Sequence, residues 1–140
     1  KIKIIFFSTN YVYPGTKGNY SEKDPVNPWN NYGWSKLGAE AAVQMYKNSL
    51  IIRACMTEKP FIHKFAFSDV KSNFIFHEDF AKIFVKLIKK KGVINIGGQV
   101  KTIYEFAKKY NKNVKKKKSR GLLPKQMHMS LAKLNNYLKK

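Results

Sequence analysis

Acidic side chains are scarce in this 140-residue chain: 8 Asp and Glu stand against 28 Lys and Arg, a formal charge of +20. None follows Glu105. Such an excess admits a phosphate polymer as partner through counterion release. Arginine is scarce too. Only Arg53 and Arg120 could supply the planar fork that base edges and bidentate phosphate contacts favour. The charge therefore reads first as a solvated lysine surface, and a basic nucleic-acid-binding module ranks third among the functional readings. Cys55 is the one cysteine. It excludes an internal disulfide framework and suits a reducing, cytoplasmic setting. No apolar run approaches the ~20 residues that span a bilayer, so no membrane partner is expected. The opening Lys1–Phe7 run is too short for a signal peptide. His63, His77 and His128 do not stand at metal-ligand spacing, so no metal site is expected. Lys1 stands where a Met would open a reading frame, which leaves room for a start inside a longer frame or for processing.

What is present is enough for a core: 44% of residues are apolar and 14% aromatic. Ile2–Phe7 is β-branched and aromatic without polar alternation, the pattern of a fully buried parallel strand. Ser8-Thr9-Asn10 ends it, where open α/β sheets place their sites. Pro14-Gly15, Gly18, Pro25 and Pro28 mark residues 11–28 as a long loop. A helix follows over about Asn31–Lys47, capped by Asn30 or Asn31, with Leu37, Ala41 and Met45 expected inward. Gly33 and Gly38 inside it, each costing up to ~1 kcal/mol against alanine, suggest close approach of a neighbour. Leu50–Ile52 is a second buried strand, and residues 57–73 carry little pattern. Phe74–Phe76 reads as a short strand and Asp79–Lys91 as an amphipathic helix with Phe80, Ile83, Phe84, Leu87 and Ile88 on one face. Gly92 ends that helix, and Val93–Ile96 is another strand. Thr102 caps a helix to about Tyr110 and Ser130 a last short one. Lys115–Lys118 reads as an exposed connection. The alternation predicts an α/β fold with a largely parallel sheet. Three or four strands with so few helices look like half of a domain.

Tyr32-Gly33-Trp34-Ser35-Lys36 places a phenol and an ammonium one helical turn apart on one face. A fixed positive charge favours a phenolate, so the pair is a candidate general acid/base for carbonyl and alcohol chemistry. Taken alone the pentapeptide is a weak signal, since a solvated Tyr-x-x-x-Lys is common on helices.

Its neighbours add to it. Ser8-Thr9-Asn10-Tyr11-Val12-Tyr13, Asn27-Pro28 and Tyr32–Glu40 together resemble the catalytic half of the extended short-chain dehydrogenase/reductases, most of all the sugar-nucleotide reductases and epimerases. Leu50–Arg53, Phe76–Asp79, Val93–Gly98, Leu123–Lys125 and Ala132–Leu134 resemble later segments of that family. The resemblance implies a partial Rossmann-like parallel sheet with a small substrate-binding α/β region. Residues 1–56 would be the catalytic half and 57–140 a mixed substrate-binding and C-terminal region not independent of it. It implies NADP or NAD as cofactor and a nucleotide-sugar substrate. Tyr32 would exchange a proton with the sugar C4 oxygen. Lys36 would hold the nicotinamide ribose and act on the phenol. Thr9 would hydrogen-bond the same sugar oxygen, with Ser8 as the fallback. Asn10 and Met56 would contact substrate, where the reductases commonly carry Asp and Trp. The family's glycine-rich pyrophosphate turn has no counterpart, so a second chain or a missing N-terminal segment would complete the sheet. The alternative, in another class, is a non-catalytic regulatory or binding relative of the same fold.

Overall fold

The computed structural model describes residues 2–139. In chain order the elements are β1 (Ile4–Thr9), a 3-10 turn (Asn10–Val12), α1 (Asn31–Gln44), β2 (Ser49–Ala54), β3 (Met56–Thr57), β4 (Phe65–Phe67), β5 (Lys71–Ser72), β6 (Ile75–Phe76), α2 (His77–Leu87), β7 (Gly92–Ile96), β8 (Lys101–Thr102), α3 (Ile103–Tyr110), β9 (Lys115–Lys117) and α4 (Ala132–Leu138). The main sheet is three-stranded, ordered β1-β2-β7, and both pairings are parallel. This is the parallel sheet that the alternation predicts, and it fits the partial Rossmann-like arrangement that the resemblance implies.

Strand β2 lies at the centre and is buried along its whole length. Side chains alternate across a strand, so one strand faces two layers. Leu50, Ile52 and Ala54 join Ile94, Ile96, Phe80, Leu87 and Leu134 in a core shared with α2 and α4. Arg53 points the other way and meets Glu40 of α1. A second core holds Phe61, Val70, Phe76, Phe106 and Met127 around α3. Burying such side chains contributes roughly 1.5–3 kcal/mol each.

Several expectations need correction. β1 is not fully buried: Ile4 and Phe7 are exposed at 38% and 41%. Among the described residues β1 pairs only with β2, so it is a sheet edge, and Phe7 packs edge-on against Phe80 and Phe84 of α2. On α1, Ala41 is exposed and Met45 is 87% exposed, so neither belongs to the core. The inward positions are instead Gly33, the buried Glu40 and Leu37, which packs as expected against the cluster of Val12 and Tyr13. Ile88 is exposed because α2 ends at Leu87 and Ile88 is only its cap. Gly33 does meet a neighbour, but a Cβ at Gly38 would meet nothing within 4 Å. The lysine run is not a connection: Lys115–Lys117 forms β9, parallel to β4, with all three side chains exposed. A strand needs only backbone partners, which lysine supplies as well as valine does. The last helix is capped by Leu131, and Ser130 Oγ accepts from Ala132 N at 3.4 Å. The Thr102 cap is as expected, a reciprocal capping box with Glu105.

Candidate active site

The rim of the sheet is built by local hydrogen bonding. Where β1 ends, Thr9 Oγ1 accepts from Tyr11 N at 3.2 Å and caps the 3-10 turn. Asn10, buried, donates from Nδ2 to Met127 O at 3.2 Å. Asn30 Oδ1 accepts from Gly33 N at 2.8 Å and starts α1. The helix can lie against the turn only because residue 33 has no side chain: a Cβ there would stand 2.5 Å from Tyr11 O. That contact sets Tyr32 beside Tyr11, with perpendicular rings 5.9 Å apart.

Ser8, Thr9, Asn10, Tyr11, Tyr32 and Met56 line one cavity of about 280 Å³, closed by Cys55, Phe74 and His77. Four of the five residues expected to form a site thus face one space. Lys36 is the exception. Its Nζ donates to Phe7 O at 2.9 Å, 5.1 Å from the Phe6 ring centroid and 5.9 Å from that of Tyr32. The ammonium is beside the phenol's ring but held to the strand backbone. Tyr32 is 52% exposed. Burial, with the neighbouring Cys55 and Tyr32 groups, raises the pKa of Tyr11, so its phenol stays a hydrogen-bond donor at neutral pH. Burial pushes the Cys55 thiol up to about 12, so it is no nucleophile here.

Two features escaped the sequence. The Ser8 hydroxyl is buried in the cavity wall without a hydrogen-bond partner among the described residues. Buried polar atoms are normally satisfied, so this hydroxyl stands out in the cavity wall. A second cavity of about 440 Å³ adjoins the first through shared Tyr11 and Phe74, and is walled by Phe61, Phe65, His63 and Lys64. Most of its wall comes from residues 57–67, whose irregular path hides any periodicity, with Ile103 and Leu123 closing it. Among the described residues no cluster of His, Cys, Asp and Glu could hold a metal ion.

Residues 1–59 match the model of the RmlD substrate binding domain. No curated protein matches the chain. A hypothetical dTDP-4-dehydrorhamnose reductase from Sulfolobus tokodaii superposes with a TM-score of 0.81 at 28% identity, over 96% of this chain and 57% of that one. The chain is similar to the extended short-chain dehydrogenase/reductases of the dTDP-4-dehydrorhamnose reductase type. The reductase from Bacillus anthracis, solved with NADP, has a TM-score of 0.83 at 21% identity over 96% of this chain and 59% of that one. The UDP-glucuronic acid 4-epimerase from Bacillus cereus, solved with NAD, reaches 0.72 at 24%, over 98% and 55%. Matches at this level of identity share the fold. The chain spans somewhat more than half the length of these three proteins.

Proposed function

We propose that this chain is the substrate-binding and proton-transferring half of an NAD(P)-dependent reductase or epimerase acting on a 4-keto-6-deoxy sugar nucleotide. The observation that carries the proposal is the shared cavity of Thr9, Asn10, Tyr32 and Met56 at the carboxyl rim of a parallel sheet. The sugar would enter it, and the adjoining aromatic cavity would take the nucleotide, its base against Phe61 or Phe65 and its phosphates toward Lys64.

A nicotinamide cofactor supplies hydride chemistry. The residues here fit its reactive end: Ser8 offers an unpartnered hydroxyl, and Tyr32 an accessible phenol. They offer no glycine-rich turn for its pyrophosphate, so that anchor would come from another segment or chain beside the open edge of β1. Within this chain, Tyr32 would donate its proton to the sugar C4 oxygen as negative charge develops there. Thr9 or Ser8 would hold the same oxygen. Lys36 would leave Phe7 O and orient toward the ribose. Asn10, fixed by Met127, would fix the sugar, and Met56 would give it an apolar wall.

Tyr32→Phe is the test, in whatever form of the protein turns over a 4-keto sugar nucleotide. Loss of proton transfer predicts a fall of about 10²–10⁴-fold in kcat. Activity retained within a few-fold rules the acid/base role out. A second reading, a non-catalytic relative, draws on the Lys36 ammonium held by Phe7 O and on the incomplete cofactor cradle. Titration with NADPH and NADH separates the two: saturable binding of either dinucleotide counts against a purely structural role.

A further inference from the structure

One buried guanidinium ties together the two segments that carry the candidate site without lining it. Arg53 sits on β2, in register with Ser8 of β1. Its Nε donates to Glu40 Oε1 at 3.0 Å and its Nη2 to Glu40 Oε2 at 2.7 Å. Its Nη1 donates to Tyr13 OH at 2.9 Å. Glu40 is wholly buried and Arg53 nearly so. Glu40 stands four residues after Lys36 and eight after Tyr32, on the same helical face, about 12 Å along the axis from the phenol's residue. Tyr13 follows the 3-10 turn that Thr9 caps, and it donates to Asn95 Oδ1 at 2.9 Å. Asn95 in turn donates to Tyr20 O at 2.9 Å, tying the long loop to β7. With a further Nε–Glu40 Oε2 contact at 3.2 Å, three of its hydrogen bonds go to α1 and one to Tyr13, the residue that ends the rim turn.

We propose that Arg53 is the positioning residue of the site, a spacer that fixes α1, with Tyr32 and Lys36, against the turn that carries Thr9 and Asn10. The inference rests on the acid/base assignment above for its meaning, but the placement can be measured without catalysis. A planar guanidinium bridges two acceptors in set directions, whereas an ammonium is a point donor that can serve one wall or swing between them. The buried charge fits the same role: burial pulls the Arg53 pKa down, but the hydrogen bonds to Glu40 and Tyr13 and the Glu40 carboxylate outweigh it and hold it up. The guanidinium stays charged at any working pH. A merely structural ion pair would be free to sit anywhere in the core. This one divides its donors between the two segments that meet at the cavity.

The experiment uses the full chain with the Tyr32 ring and the Thr9 methyl isotopically labelled, each resonance assigned by Tyr32→Phe and Thr9→Val. Three variants are compared with wild type: Glu40→Gln, Tyr13→Phe and Arg53→Lys. The expected pattern is divided. Glu40→Gln shifts the Tyr32 ring resonance and leaves the Thr9 methyl in place. Tyr13→Phe does the reverse. Arg53→Lys moves both by more than a linewidth while signals from α3 and β4 stay put. Folded variants with Tyr32 and Thr9 signals identical to wild type overturn the proposal. So does a uniform shift across the whole spectrum, which marks general loosening. If Arg53→Lys fails to fold, the two single-sided variants decide, since Tyr13→Phe removes one hydroxyl only. Where turnover is available, Arg53→Lys lowers kcat at least tenfold with KM within about twofold. Absence of turnover in wild type sinks the enzymatic assignment and leaves the spectroscopic test intact.

Discussion

Two glycines of one helix give a paired prediction. Alanine at Gly38 meets nothing within 4 Å, whereas at Gly33 its Cβ would stand 2.5 Å from Tyr11 O and 2.8 Å from Pro28 Cβ. Both substitutions gain the same helix propensity, about 0.8–1 kcal/mol. Only Gly33→Ala forces a neighbour to move, and that neighbour is the carbonyl of a turn whose flanking residues Asn10 and Val12 are buried. Overpacking of this kind costs about 1–3 kcal/mol. Gly38→Ala is therefore expected to stabilise by about 1 kcal/mol and Gly33→Ala to fall below it by about 1–3 kcal/mol. At this chain length roughly 4 °C of Tm corresponds to each kcal/mol, so the two melting points should separate by roughly 4–12 °C. Circular dichroism melts and urea titrations of the two variants and wild type measure it. A Gly33→Ala protein as stable as Gly38→Ala would refute the close contact of α1 with the turn, and with it the placement of Tyr32 beside Tyr11.

Three further outcomes follow from buried or hydrogen-bonded groups. Cys55 has its pKa raised from 9.0 to about 12 by burial, with the Ser72 contact opposing weakly, so the native thiol should resist alkylation at pH 8 and react once urea unfolds the chain. Because the folded state holds the proton more tightly, this stability is present below pH 9 and is lost as pH rises toward about 12. Asp24 has its pKa lowered from 3.8 to about 2, by the Lys17 hydrogen bond first and then by those from Ser21. Its contribution is present above pH 3.8 and lost as pH falls toward about 2, and Lys17→Ala should raise its midpoint in an NMR titration. Thr102→Ala removes one arm of the α3 capping box and should cost about 1 kcal/mol in urea titrations, with an unchanged m-value.

The strands and helices of the central sheet were legible because burial on both sides writes long apolar runs, and β2 with its run Leu50–Ile52 is the clearest case. The helix that carries Tyr32 and Lys36 and the strand end that carries Thr9 were legible because both are local patterns, whereas the turn of the Lys36 ammonium onto Phe7 O was not. What failed depended on distant neighbours. Ile4 and Phe7 look like core residues in a window of sequence, but the edge position of β1 exposes them. Met45 looks apolar and inward, yet the inward stripe of α1 is decided by an arginine thirteen residues beyond Glu40. The lysines of β9 carry no strand signal, since the pairing with β4 lies in backbone alone. The second, aromatic cavity draws on Tyr11, on residues 57–67 and on Leu123, segments too far apart for any pattern to join.

Strand β2 sends aliphatic side chains to one layer and a guanidinium to the other on successive residues. Deleting a single position upstream of Arg53 would turn the whole strand over. The charge would then arrive among Ile94, Phe80 and Leu134, and Ile52 would face the Glu40 carboxylate. This segment can therefore exchange residues of like kind over evolutionary time, but it cannot change length.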